Sequence, residues 1–169
     1  MTLTGLDNFS VKYLNVTQSL DDISVSAELF VPVLTLHSEN YNLKGRAYVF
    51  YPLQGHGKMT VLIRDVDVSL SVHFASVADV NMRIDDFALE FNISKVDATL
   101  ENSSWPINQV LNKEGVQIIE SFHEDVVNAA WDYAVPYAND YLANISPGDF
   151  LKIISDISVN SYIINNNTK

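Results

Sequence analysis

The sequence predicts an α+β fold in which a highly curved antiparallel β-sheet faces a long, proline-kinked C-terminal α-helix. Over the first hundred residues, apolar and polar residues alternate, a period typical of half-buried strands. After Trp105 and Pro106, apolar residues recur at steps of three and four, which is typical of an amphipathic helix. Between Val61 and Val66 the apolar positions change from odd to even. Such a one-residue slip indicates a β-bulge, and bulges bend sheets.

The strands are predicted from runs in which apolar residues recur at every second position, at residues 23–33, 66–74, 87–93 and 96–100. Polar or glycine-containing segments predict the turns, at residues 38–40, 42–45, 55–58 and 79–81. Short turns between long alternating runs are typical of an antiparallel meander. One face of the curved sheet is therefore expected to be continuously apolar.

The helical part begins with a short amphipathic turn at Ile107, Val110 and Leu111, which is expected to close near Gly115. A longer apolar stripe follows at Ile118, Phe122, Val126, Ala129 or Ala130, Tyr133, Tyr137 and Tyr141. Pro136 lies inside this stripe and should kink or divide the helix. Residues 146–149 should end it. We expect one domain over residues 1–154 and a polar, disordered tail over residues 155–169.

The composition excludes several classes of protein. About 47% of the chain is apolar and 18% is charged, against roughly 25% charged residues in an average soluble domain. No apolar run approaches the ~18 residues that a membrane-spanning helix needs, so no stable membrane insertion is expected. Ten Lys and Arg against 21 Asp and Glu give a net charge of −11. This charge disfavours nucleic-acid binding and favours a monomer.

Asparagine usage and the chain's N-terminus point to different compartments. The chain has no cysteine, and its first residues lack the pattern of a signal peptide, which suggests a cytosolic protein. Sequons for N-glycosylation, however, are more frequent than chance would give, and they are meaningful only in secreted chains. The candidate glycosylation sites are Asn8, Asn15, Asn92, Asn102 and Asn166; a sixth, at Asn144, is weaker because Pro147 follows its Ser146. A random excess of Asn and Ser is the alternative explanation.

The candidate ligand-lining residues are the apolar and aromatic side chains of the predicted inner faces. They are Leu29, Val31, Leu70, Val72, Phe74, Phe87, Leu89, Phe91, Phe122, Val126, Tyr133 and Tyr137. Binding pockets combine such side chains with a few oriented polar groups, and the Tyr133 and Tyr137 hydroxyls could donate to a ligand carbonyl or epoxide. Periodicity alone does not separate a pocket from an ordinary core.

The sequence gives little support for an enzyme. The histidines are scattered without metal-ligand spacing, and the serine-hydrolase motif G-x-S-x-G does not occur. The glycines of residues 55–58 fit a hairpin turn better than a phosphate-binding loop. Asp65 and Asp67 alternate with Val66 and Val68, so both carboxylates should face solvent. We predict no catalytic residue, no cofactor and no metal site.

Five motifs in order resemble the insect takeout and juvenile hormone binding protein family. They are Gly5-Leu6-Asp7-Asn8-Phe9, Tyr41-Asn42-Leu43-Lys44-Gly45, Tyr51-Pro52-Leu53-Gln54-Gly55-His56-Gly57, Asn108-Gln109-Val110-Leu111-Asn112 and Ile145-Ser146-Pro147-Gly148-Asp149-Phe150-Leu151. The resemblance covers roughly residues 3–154 and implies a tubular lipid-binding fold, with the sheet wrapped around the long helix. It also implies a secreted, non-enzymatic carrier that holds a terpenoid hormone, fatty acid or other lipid in an apolar tunnel.

The chain departs from that family at its amino-terminal end. Family members usually carry a signal peptide and then a further segment, including a disulfide pair and a helix, ahead of the Gly5-Leu6 motif. The sequence is therefore expected to correspond to the carboxyl-terminal two thirds of a family domain, with the signal peptide in a full-length form. Two alternatives stay open: an extracellular interaction or structural glycoprotein with a fully packed core, and a glycosidase-like enzyme with two carboxylates in one cleft.

Overall fold

The computed structural model describes residues 1–18, 22–47, 51–77 and 81–166. The strands are β1 (Thr2–Thr4), β2 (Ser10–Gln18), β3 (Asp22–Ala47), β4 (Tyr51–Val77) and β5 (Asn81–Leu100). The helices are α1 (Ile107–Glu120), α2 (His123–Ala129), a π-helical turn (Ala130–Ala134), α3 (Val135–Leu142) and α4 (Pro147–Asn166). All strands precede all helices, which confirms the predicted α+β class.

The described strands form one sheet in the order β1-β3-β4-β5, with β2 also paired to β3. β1 lies antiparallel to β3, with Thr2 opposite His37 and Thr4 opposite Thr35. β3 and β4 are 26 and 27 residues long, several times an ordinary strand of ~5–6 residues. The predicted runs of alternation, residues 23–33 and 66–74, cover only part of each strand.

Three of the predicted turns are wrong, because β3 continues through residues 38–45 and β4 continues through residues 55–58. A glycine inside a strand lacks a side chain to pack. Here the Tyr41 ring of β3 covers Gly55 so closely that a Cβ there would overlap its hydroxyl. That hydroxyl donates a hydrogen bond to the carbonyl of Glu101. Of the fourth predicted turn, residues 79 and 80 lie outside the described residues, and Asn81 begins β5.

The predicted change of parity in β4 is confirmed. Val61 and Ile63, at odd positions, pack in the same apolar cluster as Val66 and Val68, at even positions. Between the two pairs, Asp65 adopts a left-handed backbone conformation with φ of 49°. This is the local geometry by which a β-bulge returns the following side chains to the same face.

The chain divides into two compact units, and parts of β3, β4 and β5 belong to each. The first unit contains residues 1–10, 30–68 and 91–123. The second contains residues 11–29, 69–90 and 124–169. The prediction of a single domain over residues 1–154 stays a prediction.

In the first unit, α1 packs directly on the sheet. Buried Val66, Ile93 and Val96 contact Val116 and Ile119 of the helix. Gly115 makes this approach close, since a Cβ there would lie 2.8 Å from the Val96 Cβ. The predicted helix end near Gly115 is therefore wrong: α1 runs through it, and the glycine is selected by helix–sheet distance.

In the second unit, α3 and α4 cover the sheet. Met82 of β5 is 2% exposed and lies in a cluster that includes Leu142 of α3 and Phe150 of α4. The rings of Phe150 and Phe74 are tilted against each other, with centroids 4.6 Å apart. Tilted aromatic pairs of this kind are favourable, so the short segment after Pro147 is part of the core.

Asparagine side chains from the helices bind the backbone of β5, which is the edge strand of the sheet. The Asn112 amide accepts from the Ala98 N–H at 2.8 Å and donates to the Ala98 carbonyl at 2.9 Å. Asn108 binds Leu100 in the same bidentate way, and Asn139 binds Ile84 in the second unit. Each amide takes the place of a neighbouring strand and so protects a sheet edge.

Replacing Asn112 by Asp is expected to lower the free energy of unfolding by about 1–3 kcal/mol, because a carboxylate would face the Ala98 carbonyl without a donor. Chemical denaturation at neutral pH measures the loss. The matched control is Asn128→Asp, at an exposed position on α2, for which less than ~0.5 kcal/mol is expected. Equal losses for the two variants would show that the amide contact does not stabilise the edge.

The helical region is divided where Pro136 predicts a break. The π-helical turn ends at Ala134, and Pro136 lies in the first turn of α3. Residues 155–166, predicted to be a disordered tail, belong to α4, and residues 167–169 lie outside the described residues. No helix in the described part of the chain is both long and apolar enough to cross a membrane.

Candidate ligand-binding site

The predicted lining residues of the sheet all lie on core-forming strands, but they differ in burial. Val31, Val72 and Phe74 are buried. The others are half-buried: Leu29, Leu70, Phe87, Leu89 and Phe91. The sheet therefore holds larger apolar side chains whose surface the helices cover only in part.

The predicted lining residues of the helices are exposed. Phe122 and Val126 are 54% and 40% exposed, and Tyr133 and Tyr137 are 79% and 80% exposed. The structure does not bring these four side chains to the sheet, and their role in a binding site stays a prediction.

A second apolar stripe, which contains no aromatic residue, occupies the more buried side of the helices. In the first unit it consists of Ile107, Leu111, Gly115, Val116 and Ile119. In the second unit it consists of Val127, Ala130, Val135, Ala138 and Leu142. The step from Ala130 to Val135 is five residues, which matches the π-helical turn between them. Both stripes are apolar. A prediction that follows the largest side chains at a constant helical period therefore chooses the exposed stripe instead of the buried one.

Phe91 occupies a distinctive place in the first unit. Its ring stacks on the His123 imidazole, with centroids 4.8 Å apart and an angle of 26° between the planes. It also packs on the cluster around Val31, Ile93 and Val96. Phe91 is thus a half-buried ring at the junction of β5 with the start of α2.

The open grooves among the described residues include one in each unit. A groove of about 240 Å³ in the second unit is lined mainly by small or polar side chains: Tyr13, Ser26, Ala27, Glu28, Ser69, Leu70, Ser71, Ala88 and Glu90. A groove of about 290 Å³ in the first unit is lined by Asn42, Leu43, Lys44, Gln54, Gly55 and His56. Leu70 is the predicted lining residue that they include.

The charged side chains form ion pairs on the exposed surface of the sheet. Asp97 accepts from Lys95 and Arg64, at 2.7 and 2.6 Å, and these hydrogen bonds lower its pKa. Glu39 pairs with His37 and Lys58, which lowers its pKa as well. Asp65 and Asp67 are exposed, as their alternation with valine predicts. Within the described residues, no group of three or more His, Asp or Glu side chains is placed to hold a metal ion.

The candidate glycosylation sites lie at the surface where they are described. Asn8, Asn15, Asn92 and Asn102 are exposed. Asn102 has a φ of 46° in the segment between β5 and α1, and its amide donates to the His56 carbonyl at 3.3 Å. The Asn166 side chain lies outside the described residues. Their modification stays a prediction.

The described antiparallel sheet followed by packed helices has the fold of a solved takeout protein. The crystal structure of Takeout 1 from Epiphyas postvittana matches it with a TM-score of 0.62, over 85% of this chain and 70% of that chain. At 22% sequence identity, this likeness shows the shared fold. No curated protein is significantly similar in sequence.

The family model described as haemolymph juvenile hormone binding protein matches residues 1–152. The chain therefore belongs to that family, whose members are carriers of hydrophobic ligands and not enzymes. The family match confirms the resemblance that the five motifs predict. In the structure, Asn108 and Asn112 of the fourth motif bind the backbone of the edge strand β5. A spacing of four residues places both side chains on one face of the helix, but it does not by itself predict this contact.

Proposed function

We propose that the chain is a non-enzymatic, monomeric carrier of one small hydrophobic molecule, such as a juvenile hormone-like terpenoid or a fatty acid. The ligand lies against the core-facing side of the sheet in the first unit, next to Phe91. Membership of the haemolymph juvenile hormone binding protein family supports the ligand class. The observation that most supports this site is that the Phe91 ring of β5 is only half-buried, although Ile93 and Val96 on the same strand are buried.

The described core leaves apolar surface for a ligand to cover. In the first unit, Phe91, Val61 and Ile63 are half-buried and pack on the same cluster. Covering apolar surface is worth about 25 cal/mol per Å². A lipid tail that contacts these side chains would therefore be bound mainly by the hydrophobic effect.

The matching test is titration of the purified chain with a fluorescent fatty acid, followed by displacement with juvenile hormone. Saturable binding with one site per chain is expected, with displacement by the terpenoid and not by a water-soluble analogue. A lack of saturable binding for every apolar probe would contradict the carrier function.

A fully packed extracellular glycoprotein is the second candidate. It is favoured by the position of the two open grooves, which are lined mostly by residues outside the predicted inner faces. The same titration separates the two candidates, since a packed core would take up no probe.

We further propose that the protein is secreted and glycosylated. The exposure of Asn8, Asn15, Asn92 and Asn102 supports this proposal. Expression in insect cells behind a signal peptide provides the test. A decrease in mass after enzymatic removal of N-glycans is expected, and an unchanged mass would contradict the proposal.

A further inference from the structure

The exposed side of α3 and of the π-helical turn combines aromatic rings with carboxylates. Tyr133, Tyr137 and Tyr141 are 79%, 80% and 67% exposed. They recur every four residues, which places them on one side of the helix. Asp132 and Asp140 are exposed as well and form the adjacent row. We refer to these five residues as the acidic tyrosine face.

This face differs from an ordinary solvent-exposed helix surface. The opposite side of the same helix is already buried through Val135 and Leu142. A surface helix usually has one apolar side and one polar side. Contiguous exposed aromatic surface is typical of interaction sites, and tyrosine is enriched at protein interfaces because its ring is apolar and its hydroxyl is polar.

The charges around the face indicate the sign of its partner. Between Lys113 and Lys152 the chain contains seven Asp and Glu and no Lys or Arg. A second copy docking symmetrically would place its own carboxylates opposite these carboxylates, because a twofold interface brings a patch onto itself. Like charges in that position disfavour association. A cationic partner would meet complementary charge along the whole face.

We propose that the acidic tyrosine face is a docking surface for a cationic amphipathic helix of another protein. Its apolar residues would cover the tyrosine rings, and its Lys or Arg side chains would pair with Asp132 and Asp140 and lie over the ring faces. The nine residues from Tyr133 to Tyr141 span about 12 Å at 1.5 Å per residue, so about two turns of a partner helix suffice. The ligand site proposed next to Phe91 includes none of the five residues of this face.

Three synthetic peptides of equal length, about 18 residues or five helical turns, test the proposal by isothermal titration calorimetry. One is an amphipathic Lys/Leu helix, the second carries the same charge with Ser in place of Leu, and the third is a Glu/Leu helix. The Lys/Leu peptide is expected to bind at least about tenfold more tightly than the other two, because it alone offers both charge and an apolar side. Equal affinity for the Lys/Ser peptide would overturn the proposal, since net charge alone would then explain binding.

Variants locate the binding site. Asp132→Asn together with Asp140→Asn, and separately Tyr137→Ser, are each expected to weaken Lys/Leu binding at least about fivefold. The charge control is Asp7→Asn together with Asp156→Asn, two exposed carboxylates elsewhere. The ring control is Tyr13→Ser, at a tyrosine that is 51% exposed. Unchanged thermal unfolding of every variant shows that the fold is retained.

Three further results would overturn the proposal. They are equal weakening by the control variants, no binding of the Lys/Leu peptide, and a dimer in analytical ultracentrifugation that Tyr137→Ser dissociates. The last result would assign the face to a second copy of the chain.

Discussion

Replacing Phe91 by Asp is expected to weaken binding of a fluorescent fatty acid at least about tenfold, because a carboxylate would enter the apolar surface on which the ligand is proposed to lie. Phe91 is half-buried against the core of the first unit and stacks on His123. Equilibrium fluorescence titration measures the change in Kd. Phe91→Leu keeps an apolar side chain and should lose no more than about threefold.

The control for Phe91 is its neighbour in the strand. Glu90 lies on the other face of β5, where it lines the open groove of the second unit, so Glu90→Gln should leave Kd unchanged. Circular dichroism and thermal unfolding establish that each variant is folded. Equal losses at the two positions, in folded protein, would contradict the assignment of the ligand to the core-facing side of β5.

Replacing Gly115 by Leu is expected to lower the free energy of unfolding by about 3 kcal/mol, at the upper end of the usual cost of overpacking. A Cβ at this position would lie 2.8 Å from both the Cβ and Cγ1 of Val96. The larger side chain must therefore push α1 away from the sheet or move Val96. The gain in helix propensity over glycine, about 1 kcal/mol, offsets the cost only in part.

Gly148 supplies the matched control for Gly115, since it also lies in a helix but a Cβ added there would meet no neighbouring atom within 4 Å. Gly148→Leu should leave stability unchanged or raise it by up to about 1 kcal/mol. Urea denaturation of both variants gives the comparison. If Gly115→Leu were as stable as Gly148→Leu, the close contact of α1 with β5 would be absent in solution.

The sheet is the part of the fold that the sequence predicts best. Alternation is a direct consequence of strand geometry, so the apolar positions of β3, β4 and β5 are readable without tertiary information. The change of parity around Asp65 is readable for the same reason. Turn prediction failed where tertiary contacts override local preference: the Tyr41 ring allows Gly55 to lie within a strand.

The buried side of the helices was predicted less well, because the prediction assumed a constant helical period. The sequence contains two apolar stripes, and the stripe with the larger rings is exposed at Tyr133 and Tyr137. The buried stripe uses Ala130 and Val135, five residues apart. A π-helical turn accommodates this spacing, and a period of 3.6 does not predict it. Small residues are favoured there because they let a helix approach a sheet closely, as Gly115 does.

Some residues of the candidate site could be predicted from the sequence, and some contacts could not. Half-buried residues of the sheet, such as Phe87 and Phe91, lie on the strands and on the side that alternation predicts. The asparagine contacts of Asn112 and Asn139 with the edge strand were not predictable, because an amide has no periodic signature and pairs across 14 and 55 residues.

The central claim is that the protein carries a hydrophobic ligand, and native mass spectrometry with lipid extraction tests it most directly. Protein purified from insect cells without detergent is sprayed under native conditions, and its organic extract is identified in parallel. We expect a mass excess that corresponds to one terpenoid or lipid per chain, lost on denaturation and reduced in the Phe91→Asp variant. A native mass equal to that of the bare chain, with an extract free of lipid and no uptake of added apolar probe, would contradict the claim.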